Sequence, residues 1–167
     1  AKKEGYGPRR SILIMPVSGE EKGLLGSKYY TDNPVYPLNN TIANLNIDMI
    51  GRLDDWHSTG DYVYLIGSDR LSYDLHNINE EINSNYTKLE LDYKYNDEDD
   101  PNRYYYRSDH YNFAKNNIPV IFYFNGVHED YHRPSDTIEK LDFNKIKKIS
   151  KLIFLTAWEL ANREERI

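Results

Sequence analysis

His128-Glu129-Asp130-Tyr131-His132 spells H-E-x-x-H, the pattern in which two histidines one helical turn apart bind zinc and the glutamate activates water. That chemistry needs an α-helix, because only there do residues i and i+4 share a face. The flanks argue against one. Asn125-Gly126 is a turn signal, and Pro134 biases Arg133 away from helical geometry. The nearest His or Glu after His132 is Glu139, so no third ligand follows at the metzincin spacing. The five letters are read as an accidental match on a loop.

Two other stretches carry groups of the same kind. Glu20 and Glu21 lie side by side in "SGEE", and Asp48 sits in "NLNIDMIGR". Adjacent glutamates make chemical sense at a metal: one coordinates it while the other takes a proton from the activated water. The chain has no cysteine, so thiolate sites and disulfides are excluded. A metal would need His, Asp and Glu ligands, and five histidines are available. Taken singly, each feature also has an ordinary explanation as a solvated loop, a cap or an incidental side chain.

The elements that must position these groups can be read from hydropathy patterning. "SILIMPV" (Ser11–Val17) reads as a strand buried on both faces, loosening at Pro16. A short helix in "LLGSKYYTDNP" must stop near Pro34. Thr41–Gly51 and Tyr62–Ser68 are β-like. Leu71, Leu75, Ile78 and Ile82 recur at helical spacing over residues 71–85. Lys88–Tyr95 alternates as a half-buried strand. "RYYYRSDHYNFAKNN" leads into a short helix capped by Ser108 or Asp109. Its tyrosines, Tyr104 to Tyr106, either line a substrate pocket or pack as aromatics.

Ile118–Gly126 is the most apolar run and is expected to be a central strand. A long terminal helix from Asp142 presents Ile146, Ile149, Ile153, Leu155, Trp158 and Leu160 to the core. Alternating strands and helices predict one α/β domain over residues 1–167, with a mixed, largely parallel sheet flanked by helices. Functional groups in such sheets gather beyond the carboxyl ends of strands. The loops bearing Glu20 and Glu21, Asp48, and His128 to His132 each follow an apolar run. If those runs are parallel neighbours, the three loops converge.

Composition narrows the partners. Hydrophobic residues make up 39% and charged residues 29% of the 167 residues, a globular balance. A net charge of −6 argues against nucleic-acid or anionic-membrane binding. No apolar run approaches the roughly 20 residues of a membrane span. The opening "AKKEGYGPRR" reads as a helix tail and a turn approaching a strand, which leads us to expect part of a longer catalytic domain.

Together, "VSGEEKGLLGSKYY", "NLNIDMIGR" and "SDHYNFAKNNIPVIFYFNGVHEDYHRPSDTIEKLD" resemble successive blocks of the M28 family of zinc aminopeptidases, in order and in spacing. The likeness runs from about Arg10 to Phe143. It implies a zinc-dependent exopeptidase-like fold and removal of N-terminal residues from peptides by metal-activated water. By matching position, Glu20 resembles the general base, and Glu21 and His132 resemble ligands of one zinc. Asp48 is similar to the ligand of a second zinc, and Tyr131 matches a position that stabilises the oxyanion. His128, Glu129 and Asp130 have no ligand role in the resemblance, although Asp130 or Asp136 could support a ligand from behind.

The resemblance also defines a gap. The family carries a His-x-Asp element and a metal-bridging Asp upstream of its Glu-Glu pair, whereas the 19 residues before Glu20 hold neither His nor Asp. The expectation is therefore one zinc or none in place of two, and impaired activity. A non-catalytic scaffold relative and a single-zinc glutaminyl cyclase-like enzyme are the alternatives. The resemblance further implies a secreted or periplasmic setting. An exposed sheet edge is expected to favour self-association.

Overall fold

The computed structural model describes residue 5 and residues 7–167, so the helix tail expected at the start of the chain lies largely outside the described residues. The strands are β1 (Asn44–Ile47), β2 (Tyr62–Ile66), β3 (Glu90–Asp92) and β4 (Val120–Phe124). They form one sheet in the order β1-β4-β2-β3. β1 runs parallel to β4, β2 runs parallel to β3, and β2 and β4 are antiparallel. The mixed, largely parallel α/β expectation is met.

β2 and β4 are buried along their whole lengths, as continuous apolar runs in a covered sheet should be. Their side chains alternate between two layers. Val63, Leu65, Ile121 and Tyr123 face α2 (Tyr73–Ile82) and α4 (Phe143–Asn162), where they meet Leu75, Ile78, Ile149, Leu152 and Leu160. Tyr62, Tyr64, Ile66, Phe122 and Phe124 form an aromatic layer on the other face, with Tyr95 and Tyr104.

Helix starts follow local chemistry. Ser72 caps α2 by accepting from Leu75 N, and Asp142 caps α4 by accepting from Asn144 and Lys145 N. The terminal helix buries Ile149, Ile153 and Leu160 as expected, with Ile146, Leu155 and Trp158 only half-buried. The strand expected over Lys88–Tyr95 shortens to β3, because the chain turns at Lys94.

One expected strand is absent. Residues 11–17 lie outside the sheet, with Ile12, Leu13 and Ile14 exposed. No backbone hydrogen bond joins them to a strand among the described residues. The apolar run has the composition of a buried strand but lacks a paired neighbour, and Pro16 also removes a donor. Met15 packs inward, against the Phe113 and Ile118 cluster. β1 is consequently a sheet edge, paired on one side by β4.

Candidate metal centre

The parallel pairing of β1 and β4 places their carboxyl ends side by side. Asp48 follows β1, and its N–H still reaches Tyr123 O at 3.4 Å. The loop after β4 carries Tyr131 and His132. "HEDYH" is indeed a turn here: Tyr131 N donates to His128 O and Arg133 N to Asp130 O, both at 2.9 Å.

Glu20 and Glu21 arrive by a different route from the one expected. They occupy a single 3-10 turn (Glu20–Lys22) just before α1 (Leu25–Asp32), rather than the end of a sheet strand. The turn is clipped by Gly26 N donating to Ser18 O at 2.8 Å. A Cβ on Gly26 would lie 2.6 Å from that oxygen, so this close approach needs glycine. α1 is tied to α3 (His110–Ala114) through Ser27, which donates to Asp109 and accepts from Asn112 Nδ2 at 2.7 Å.

The five residues singled out by sequence, Glu20, Glu21, Asp48, Tyr131 and His132, line one cavity of about 1320 Å³. His132 Nε2 lies 2.7 Å from Glu21 Oε1, and the Tyr131 ring stacks on the His132 ring at 3.8 Å. Asp48 Oδ2 accepts from Ser108 Oγ at 2.8 Å, and that hydroxyl accepts from Asn46 Nδ2 at 2.9 Å. His132 and Met49, the neighbour of Asp48, both have positive φ, 57° and 55°. Non-glycine residues held there mark a site fixed by its surroundings.

Carboxylates dominate the electrostatics. Partial burial, then Asp48, Glu21 and Asp109, push the Glu20 carboxyl up to about 7, while the His132 imidazole opposes them. Burial also raises Asp48, against the hydrogen bond from Ser108, with Asp109 and Glu21 adding to the rise. Burial and Glu21 raise the Tyr131 phenol, and Arg107 offsets part of this. A partly buried carboxylate cluster facing one imidazole has the charge and the donor types for a divalent zinc ion.

A neighbouring cluster is misleading. His128, Asp130 and Asp136 offer donor atoms within 4.8 Å of one another, yet the chain itself supplies their cations. Arg52 Nη2 donates to Asp130 Oδ2 at 2.6 Å and Arg52 Nη1 donates to Asp136. Lys140 Nζ reaches both Asp130 oxygens at 2.7 Å. Hydrogen bonds from Lys140, Ser135 and Arg52 hold Asp130 well below the usual carboxylate range. Burial and Arg52 lower the His128 imidazole. A metal ion would have to displace two resident cations.

Sequence reasoning missed Arg52 and read Ser108 and Asp109 only as candidate helix caps. The expected side-chain cap on α3 does not form. Asp109 instead accepts from Ser27 and acts on Glu20 and Asp48 from behind. The "SDH" step before an apolar helix was the available signal, but it reads equally as a cap. His57 pairs with Asp54 Oδ1 at 2.8 Å and His76 with Ser68 Oγ at 3.0 Å.

The model of peptidase family M28 matches residues 1–157. The chain belongs to this family. A protein described as a probable leucine aminopeptidase from Arthroderma benhamiae is 32% identical over 148 residues, covering 86% of this chain and 37% of that protein. The LapA aminopeptidase of Legionella pneumophila superposes with a TM-score of 0.68 at 25% identity, covering 89% of this chain and 38% of LapA. BSAP, a zinc aminopeptidase from Bacillus subtilis, shares the fold with a TM-score of 0.69 at 21% identity, covering 90% of this chain and 36% of BSAP. The M28 chain thus spans little more than a third of the length of these relatives.

Proposed function

We propose that this chain forms one side of a zinc-dependent aminopeptidase site that removes N-terminal residues from peptides. The observation that carries this reading is the convergence of Glu20, Glu21, Asp48 and His132 in one cavity, where burial and the carboxylates of Asp48, Glu21 and Asp109 push the Glu20 carboxyl up. Membership of a peptidase family and similarity to aminopeptidases support the substrate class. Glu21 and His132 would hold one ion, and Asp48 would contribute to a second. Zinc bound there supplies Lewis acidity toward a peptide carbonyl and toward water.

The chain's own residues do the rest. Glu20, the carboxylate not paired with His132, takes a proton from the attacking water and returns it to the departing amine. The Tyr131 hydroxyl donates to the developing oxyanion, in a ring position fixed by stacking on His132. Ser108 keeps Asp48 oriented. Met49, Ile50, Phe122 and Phe124 supply apolar wall for a substrate side chain. A catalytic zinc ordinarily has three protein ligands. With two for one ion and one for the other, this chain is expected to bind zinc weakly and to turn over slowly.

Calorimetric zinc titration tests the reading. Glu21→Ala and His132→Ala should each weaken binding by at least about tenfold, while His128→Ala should leave it within about threefold. Stoichiometric binding unaffected by both of the first two substitutions would sink the site. A panel of aminoacyl anilides and N-terminal glutaminyl peptides then separates aminopeptidase from glutaminyl cyclase chemistry. Zinc binding with no turnover of either favours a binding module. Self-association through the free β1 edge belongs to the same proposal, and a monodisperse monomer at high concentration in sedimentation would count against it.

A further inference from the structure

Arg52 lies four residues after Asp48 and against the loop that carries Tyr131 and His132. Its side chain is only 12% exposed, and its guanidinium forks onto two carboxylates of that loop, Asp130 and Asp136. A planar guanidinium spans two carboxylates in a way that a single ammonium cannot. The backbone adds a second tie between the same two loops. Arg52 N donates to Asn125 Oδ1 at 3.0 Å, and Asn125 N donates to Met49 O at 2.9 Å. The segments joined in this way hold two of the positive-φ residues beside the site, Met49 and His132. Each conformation runs against the residue's own preference and persists only where neighbours over-determine it.

The surroundings of Arg52 reinforce its role. His128, Asp130 and Asp136 are spaced as a set of metal donors, and the guanidinium already binds both carboxylates of that set. From these contacts we infer that Arg52 is a positioning residue, whose fork onto Asp130 and Asp136 fixes Tyr131 and His132 opposite Asp48. The inference rests on reading Tyr131, His132 and Asp48 as one site. Its test needs neither zinc nor turnover, so the two can fail separately.

Amide hydrogen exchange on the chain with Arg52→Met, Arg52→Lys and Asp136→Asn is the experiment. The amides of Tyr131, Arg133 and Asp136 are held by turn hydrogen bonds of 2.9, 2.9 and 3.1 Å. In Arg52→Met they should exchange roughly tenfold or more faster, while Val120–Phe124 keeps the parent rate. Arg52→Lys should recover part of the protection, because an ammonium keeps the charge but lacks the planar fork that fits both carboxylates. Asp136→Asn removes only the more exposed arm of the fork and should give a smaller acceleration at the same amides. Unchanged loop exchange in Arg52→Met overturns the inference, as does an equal rise in loop and sheet, which would make Arg52 a general stabiliser. Should Arg52→Met not fold, Asp136→Asn decides: local acceleration supports the inference and unchanged exchange overturns it.

Discussion

Two histidine–carboxylate clusters sit beyond the carboxyl ends of β1 and β4, and they differ in where the positive charge comes from. At Asp130 and Asp136, Arg52 and Lys140 are already bound, so those carboxylates are already paired and act as structure. At Glu20, Glu21 and Asp48, the carboxylates face one another and a half-exposed His132, so the charge calls for an ion from outside. The denser triad of donors is therefore the poorer candidate for a metal. Counting His, Asp and Glu within reach is less informative than asking whether a lysine or arginine has already taken their lone pairs.

Several measurements would break or sharpen that contrast. The largest effect is expected from Glu20→Gln, which should cut hydrolysis of an aminoacyl anilide by about 100- to 10,000-fold as the general base is lost. Retention of full rate would move the base elsewhere. Tyr131→Phe should lower kcat by about 100-fold with little change in KM, if the hydroxyl acts only on the oxyanion. A change confined to KM would instead make the ring a substrate contact.

The clusters should also show opposite pH signatures in the metal-free chain. Glu20 rises from 4.5 to about 7 on folding, so the folded state binds more protons than the unfolded chain between those values. Stability should therefore fall as pH rises from about 4.5 to 7, by no more than about 1 kcal/mol because Glu20 is only partly buried and solvent screens it. Asp130 is lowered on folding, so its contribution is present above its ordinary value of 3.8 and is lost as pH falls below it. Urea denaturation across pH checks both, and Glu20→Gln should flatten the first window alone. The smallest effect is expected from His128→Gln, which should leave anilide turnover within about threefold. A loss as large as that of Tyr131→Phe would place the compensated cluster in the chemistry.

Some of this was legible before any coordinates. The strands Tyr62–Ile66 and Val120–Phe124 announced themselves as apolar runs, and α4 by its spacing of Ile149, Ile153 and Leu160. The strand read at Ser11–Val17 shows the limit of such patterning, since an apolar run is a strand only where another strand pairs with it. Lys145 shows another. In sequence it is one of several lysines in the first turns of α4, yet it is buried with Nζ 3.1 Å from the Tyr62 ring centroid, and burial pushes it down to about 7. Side-chain type and spacing do not reveal which face of a helix an aromatic from another element will cover.

The sequence by itself determined the donors: their types, the absence of thiolates, and a proline and a turn that keep "HEDYH" off a helix. It also determined, through the blocks around Glu20, Asp48 and His132, the family to which they belong. Only the tertiary structure decided which donors meet. The parallel pairing of β1 with β4 sets Asp48 beside the Tyr131–His132 loop, and the packing of α1 on α3 brings Glu21 to within 2.7 Å of His132 across 111 residues. It likewise gave Arg52 to Asp130 and Asp136, so that the carboxylates of that cluster are already paired. Charge neutralisation acts over a few ångströms in space, and chain order does not specify those distances.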